Sequence, residues 1–146
     1  MTTAVQQQAR QLVVFSLGAE EYALPVTRVQ EIIRYSEPRG VASDTAWIRG
    51  VISLRGKIVP VCDLSSLLGV VPQLASEAKI VIVETDAGTA GVIVDEVEEV
   101  LTVEAEQLDG VPGAGADFID AIAKVGDRLI VLLELDRLFA GVELSH

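Results

Sequence analysis

The sequence predicts a mainly β chain, with two copies of one small unit that each close into a barrel. Three observations carry this. Half of the 146 residues are hydrophobic, Val, Ile and Leu supply most of them, and aromatics are only 4%; that composition suits a sheet-rich core. The apolar segments are short and bounded by Gly, Pro or charged residues, the punctuation of strands and tight turns. The pattern also occurs twice in the same order. Short strands on tight turns expose edges in a flat sheet, so closure into small barrels sharing an apolar seam is the natural solution.

In chain order, residues 1–11 are polar and read as a flexible start. Leu12 to Leu17 is a strand, Gly18 to Glu20 a turn, and Glu21 to Pro25 a returning strand. Val26, Val29 and Ile33 share one face at helical spacing, so Val26 to Ile32 is expected to be helical. Ile32 to Tyr35 is then extended, and Pro38-Arg39-Gly40 is a loop.

The organising stretch runs from Trp47 to Gly69: strand Gly50 to Leu54, turn Arg55-Gly56, strand Lys57 to Cys62, then a short helix from Asp63 to Leu68. Gly56 accepts φ > 0 without a Cβ penalty. The Asp63 carboxylate is placed to accept from the backbone N–H of Ser65 or Ser66 as an N-cap. Pro60 has no N–H to give a ladder, which predicts an edge strand or a bulge. Trp47, the only tryptophan, reads as core.

Pro72 to Glu77 is a polar connector, and Lys79 to Glu84 starts the pattern again. Shifted by 68 positions, Leu12 to Phe15 lies on Ile80 to Val83, and Val26 to Ile33 lies on Val94 to Leu101. Shifted by 71, Trp47-Ile48 lies on Phe118-Ile119, and Ile58 to Leu68 lies on Leu129 to Phe139, a strand-acid-Leu-helix ending used twice. Four segments in one order argue for duplication, dividing residues 12–140 at about 12–72 and 79–140 and leaving 141–146 as a tail. The copies differ at Gly88-Thr89-Ala90-Gly91 and in a Gly-rich loop, Gly110 to Ala116.

Charge and chemistry then narrow the function. The net charge of −11 argues against nucleic acid, which asks for a basic footprint. It is uneven: Leu12 to Gly69 balances six acids with six bases, whereas Val70 to His146 carries sixteen acids and four bases. No basic start with an apolar run marks a signal peptide, and no apolar run approaches a bilayer span, so a cytoplasmic protein is expected. Cys62 is alone and lies in an apolar strand, the setting of an inert buried thiol. His146 is the only histidine and the last residue, so Ser–His or Cys–His catalysis and a zinc site lack their parts. Gly113-Ala114-Gly115 has neither phosphate-loop nor dinucleotide spacing. The run Asp95, Glu96, Glu98, Glu99 reads as a solvated face. An enzyme is not expected, and neither is a cofactor or a metal.

A binding role needs a specific surface. Glu31 has the reach to pair with Arg55 if their elements pack together, and a bidentate carboxylate would orient the guanidinium. Gly50 either keeps backbone open to a partner or lets the strand bend.

Arg28 to Ile32 (RVQEI), Ile48 to Leu64 (IRGVISLRGKIVPVCDL), Gly91 to Leu101 (GVIVDEVEEVL) and Gly126 to Phe139 (GDRLIVLLELDRLF) resemble the CheW family of chemotaxis coupling proteins. The resemblance spans Leu12 to Phe139. It implies two five-stranded barrels of the small Src-homology type around a shared seam, with a few short helices. It also implies a non-enzymatic adaptor that joins the cytoplasmic tips of chemoreceptors to the regulatory domain of the histidine kinase CheA. Further CheW copies join the rings, and the membrane is reached only through receptors.

By position, Val29, Glu31, Gly50, Arg55 and Gly56 fall in the family's partner-binding pattern, and the groove between the barrels is expected to take the receptor hairpin. The loop from Gly110 to Asp117 is expected to face the kinase. Ser53 stands where the family commonly has Asn and Ser65 where Arg is frequent, departures that bear on partner choice. Two other readings keep their place: an adaptor of a non-flagellar system, for pilus motility or development, and a binder of a small ligand or cation through the acidic half.

Overall fold

The computed structural model describes residues 9–40, 48–71, 77–110 and 118–139, and strands dominate them. Trp47, His146 and all of the Gly-rich loop except Gly110 lie outside these residues. The first half gives β1 (Ala9–Leu17), β2 (Glu20–Pro25), β3 (Val29–Arg34), β4 (Ile48–Leu54), β5 (Lys57–Cys62) and a helix α1 (Leu64–Leu68). The second gives β6 (Lys79–Thr85), β7 (Gly88–Val94), β8 (Glu96–Glu104), β9 (Leu108–Asp109), β10 (Ile119–Val125), β11 (Arg128–Leu133) and a helix α2 (Leu135–Leu138). The same succession of strands ends in a short helix twice.

These strands form two sheets, one of six strands in the order β8-β1-β2-β11-β10-β9 and one of five in the order β3-β6-β7-β5-β4. Each sheet takes strands from both halves of the chain. The duplication is visible in the pairing itself. Leu12 opposes Leu101 in the first sheet, and the repeat-related residues Ile80 and Ile33 oppose each other in the second. Both ladders then slip by one residue at the same place, between Val14 and Phe15 and between Val29 and Glu31. The parallel contacts agree too: Leu132 opposes Ala23 and Val61 opposes Gly91.

Alternation along the strands builds three apolar clusters. Leu12, Val14, Ala23, Ile130 and Leu132 fill the six-stranded sheet, and Val61, Ile80, Ile82 and Ile93 the five-stranded one. Between the sheets lies the largest cluster, to which Phe15, Tyr22 and Leu24 come from one sheet, Val81, Val83 and Val92 from the other, and Leu64 and Leu135 from the helices. This is the shared seam that the repeat implies. Each buried Val or Leu there is worth about 2 kcal/mol against exposure.

Several expectations are corrected. The sheets are not closed barrels: no backbone ladder joins β3 to β4, or β8 to β9, among the described residues. Ion pairs of Arg55 with Glu31 and of Arg128 with Glu99 tie these sheet ends instead. Val26 to Ile32 is not helical beyond a single 3-10 turn, Val26–Arg28. From Val29 onward the β-branched residues pair with β6 in a ladder that outweighs the helical spacing. Pro60 is not on an edge strand, since β5 lies between β4 and β7. Its missing N–H is accommodated because the parallel ladder to β7 involves only Val61 and Cys62. Asp95 does not belong to a solvated face: it is buried, and its Oδ2 accepts from the Gly18 N–H at 2.7 Å. Residues 9–11 of the polar start pair with β8.

The cap on α1 forms as the sequence predicts. Asp63 Oδ1 accepts from the Ser65 N–H at 3.1 Å, and Gly69 ends the helix in the left-handed region at φ 74°.

Candidate functional site

The five residues singled out in the sequence come from β3 and the β4–β5 hairpin, the two ends of the five-stranded sheet. The sheet curls until these ends meet. Arg55 Nε donates to Glu31 Oε2 at 3.1 Å and Arg55 Nη2 to Oε1 at 3.0 Å, a fork-to-fork pair that clasps the turn to β3. The hydrogen bonds and charge of Arg55 hold the Glu31 carboxyl below the usual carboxylate range, and Glu31 raises Arg55. Glu31 is the more covered partner, with 27% of its side chain exposed against 76% for Arg55. The arginine is therefore fixed in direction yet open to solvent. That is the state in which a guanidinium can receive a partner without first losing its conformational freedom.

The turn that carries it is strained. Arg55 has φ 53° and Gly56 φ 81°, so both central residues are left-handed, as in a type I′ hairpin turn. Gly56 is at home there. Arg55 is the only described non-glycine residue with positive φ, at a cost of about 1 kcal/mol that Asn or Gly would largely avoid. An arginine kept where the backbone disfavours it points to a job for its head group.

Gly50 and Val29 have different duties. A Cβ on Gly50 would lie 2.2 Å from the Arg39 carbonyl oxygen, and Arg39 and Val51 exchange two backbone hydrogen bonds of 2.9 Å. Gly50 thus lets the loop at Arg39 close on β4. It is buried, so the strand's own loop takes the space that an open backbone would have offered a partner. Val29 is half-buried against the central cluster, beside the one-residue slip at Gln30. That bulge separates a residue anchored in the seam from one, Glu31, committed to the clasp.

The sequence reading missed the apolar residues flanking the clasp. Ile32 on β3 is 39% exposed and Ile58 on β5 is 68% exposed. Their repeat counterparts Val100 and Leu129 are also exposed, at 58% and 61%. It missed a second clasp as well. Arg128 donates to Glu21 through Nε and Nη2, both at 3.0 Å, and lies 2.8 Å from Glu99 through Nη1. Glu99 is the repeat counterpart of Glu31, so each sheet ties its end strand to a hairpin by one arginine. Both glutamates push the Arg128 pKa further up.

Cys62 is buried, and burial pushes its thiol up to about 12, which leaves no thiolate at neutral pH. No group of three or more His, Cys, Asp or Glu among the described residues is arranged to hold a metal ion. No described helix is long and apolar enough to cross a membrane. Two interlocked sheets around a shared apolar seam, each with its end strand tied to a hairpin by an arginine, define the class of fold.

The comparisons with known proteins give that class its family. The CheW-like domain pattern matches residues 11–143. The chain is 30% identical over 141 residues to the chemotaxis protein CheW of Klebsiella aerogenes, covering 93% of this chain and 85% of that protein. It is 32% identical over 137 residues to the chemotaxis protein CheW of Bacillus subtilis, covering 90% and 88%. The crystal structure of the scaffolding protein TtCheW from Thermoanaerobacter tengcongensis superposes with a TM-score of 0.86 at 33% identity, covering 93% of this chain and 94% of that one. Protein PilI of Pseudomonas aeruginosa is 33% identical over 87 residues, 57% of this chain and 47% of that protein. This chain belongs to the CheW-like domain family.

Proposed function

We propose that this protein is a non-enzymatic chemotaxis adaptor that couples chemoreceptors to a CheA-type histidine kinase in cytoplasmic arrays at the membrane. Near full-length similarity to chemotaxis CheW proteins and to a CheW scaffold supports the class. The single observation that carries the coupling role is the Glu31/Arg55 clasp: a rigid, solvent-facing guanidinium held in a disfavoured turn.

Within this reading, Arg55, Glu31 and Gly56 meet the partner, while Val29 and Gly50 hold the surface in shape. Ile32 and Ile58 supply apolar area, as interface cores require. The groove expected between the two sheets takes the receptor hairpin, with an apolar helix face against apolar walls. Further CheW copies join through the same class of contact.

A second reading, an adaptor of a pilus-linked system, is favoured by the PilI similarity alone, which covers much less of both proteins. Calorimetric titration separates the two. Binding of the regulatory domain from the kinase of the flagellar pathway, lost in Arg55→Ala, supports the proposal. Binding only to the kinase of a pilus pathway would transfer the protein to the second reading, and binding to neither would overturn both.

A further inference from the structure

Each half of this chain lends its first hairpin to the other half. The β1–β2 hairpin lies between β8 and β11, and the β6–β7 hairpin lies between β3 and β5. The two insertions use the same registers, including the one-residue slip. The ladders that stay within a half are the hairpins β1–β2, β4–β5, β6–β7 and β10–β11, with the short β9–β10 pair. Everything that makes a sheet from these hairpins crosses between halves. A hairpin alone is marginal in water, so neither half keeps a complete sheet without the other.

Charge decides which halves match. Arg10 meets Asp120 at 3.2 Å, Arg28 meets Asp136 at 2.6 Å, and Glu21 meets Arg128 at 3.0 Å, all between halves. The repeat shows what like pairing would do. In a pair of first halves, Glu21 would keep a partner in Lys57, the counterpart of Arg128, but Arg28 would meet the neutral Ser65, the counterpart of Asp136, and Arg10 would meet Arg49, the counterpart of Asp120, so one bridge remains of three. In a pair of second halves, Asp136 would meet Glu96, the counterpart of Arg28, and the charge of −12 would be doubled.

We infer that the slot between β8 and β11 and the slot between β3 and β5 are hairpin-binding sites whose partner is the opposite half of this chain, with charge selecting unlike halves over like. The covalent link between Val71 and Glu77 is then not what holds the fold. Cutting it converts one chain into a tight complex of two, not into two unfolded pieces.

The test inserts a protease site between Gln73 and Leu74 of the full-length protein and cuts it in the folded state. If the inserted site resists cleavage, coexpressed residues 1–73 and 74–146 supply the same pair. The nicked protein should elute as one species of intact size. It should melt in one transition whose midpoint rises with concentration, as a bimolecular complex does, and recover when denaturant is removed from the mixture. Arg28→Glu should raise the dissociation constant of the nicked pair several-fold, because Asp136 then faces an acid. Halves that separate, or a half that melts cooperatively alone, would overturn the hairpin-site inference. Like pairs forming as readily as unlike ones, or an unchanged constant for Arg28→Glu, would overturn charge selection.

Discussion

Replacing Gly50 by alanine separates a structural duty from a direct contact. The added Cβ would lie 2.2 Å from the Arg39 carbonyl oxygen and 2.7 Å from its carbonyl carbon, where anything under 3.0 Å forces a shift. The clash is with backbone, so no side chain can swing aside. The cheapest relief moves the Arg39 loop off β4 and breaks both 2.9 Å hydrogen bonds between Arg39 and Val51. At about 1 kcal/mol each, these bonds and about 1 kcal/mol of residual overpacking give a loss of roughly 3 kcal/mol. For a chain of this length that lowers Tm by roughly 6–12 °C. Gly56→Ala is the control, since nothing lies within 4 Å of its added Cβ and only φ +81° opposes it; its cost is about 1 kcal/mol. Both variants are read by circular dichroism melts against the parent protein. A Gly50→Ala protein that melts within about 2 °C of the parent refutes the steric argument and returns Gly50 to a role in partner contact.

Other perturbations read other parts of the molecule. Cys62 in the native protein should label orders of magnitude more slowly than a free thiol at pH 8, and Cys62→Ser should cost stability while leaving coupling intact. Rapid native labelling contradicts the buried assignment. Arg128→Ala removes the fork to Glu21 and the contact to Glu99, both partly exposed, and should cost about 1 kcal/mol; an unchanged Tm at low salt would show that the second clasp is idle. Asp136 has its pKa lowered, first by the Asp86 backbone N–H and then by Arg28. Its contribution is therefore present above the ordinary carboxylate range and lost as pH falls below about 4. Asp136→Asn should be less stable than the parent at pH 7, and the gap should close toward pH 2. A gap that stays constant with pH contradicts the linkage.

Local chemistry made much of this fold legible. The Asp63 cap, the Gly69 stop and the Lys57–Cys62 strand follow from side-chain preferences that act over a few residues. The Glu31/Arg55 pair was legible because a charge at a hairpin turn between apolar strands asks for a partner. What stayed hidden depends on contacts distant in sequence. Val26 to Ile32 has helical spacing, and only the β6 ladder makes Val29 onward a strand. Asp95 looks like its acidic neighbours until the Gly18 N–H arrives from another hairpin. The exchange of hairpins between halves is invisible to periodicity, because a strand reads the same whichever half it pairs with. The other sheet end, which meets its hairpin through Arg128 instead of through backbone, likewise leaves no pattern in a single strand.

The central claim is that the Arg55 face carries coupling. Its most direct test is kinase autophosphorylation in receptor-bearing membranes reconstituted with a CheA-type kinase and either the parent protein or Arg55→Ala. The substitution keeps the Cβ, and with it the turn at φ 53°, removes one largely exposed ion pair and touches no core residue, so the variant should stay folded. The account predicts receptor-controlled kinase activity that requires the parent protein and is lost, together with co-sedimentation, in a variant that melts normally. Full activation by folded Arg55→Ala would contradict it.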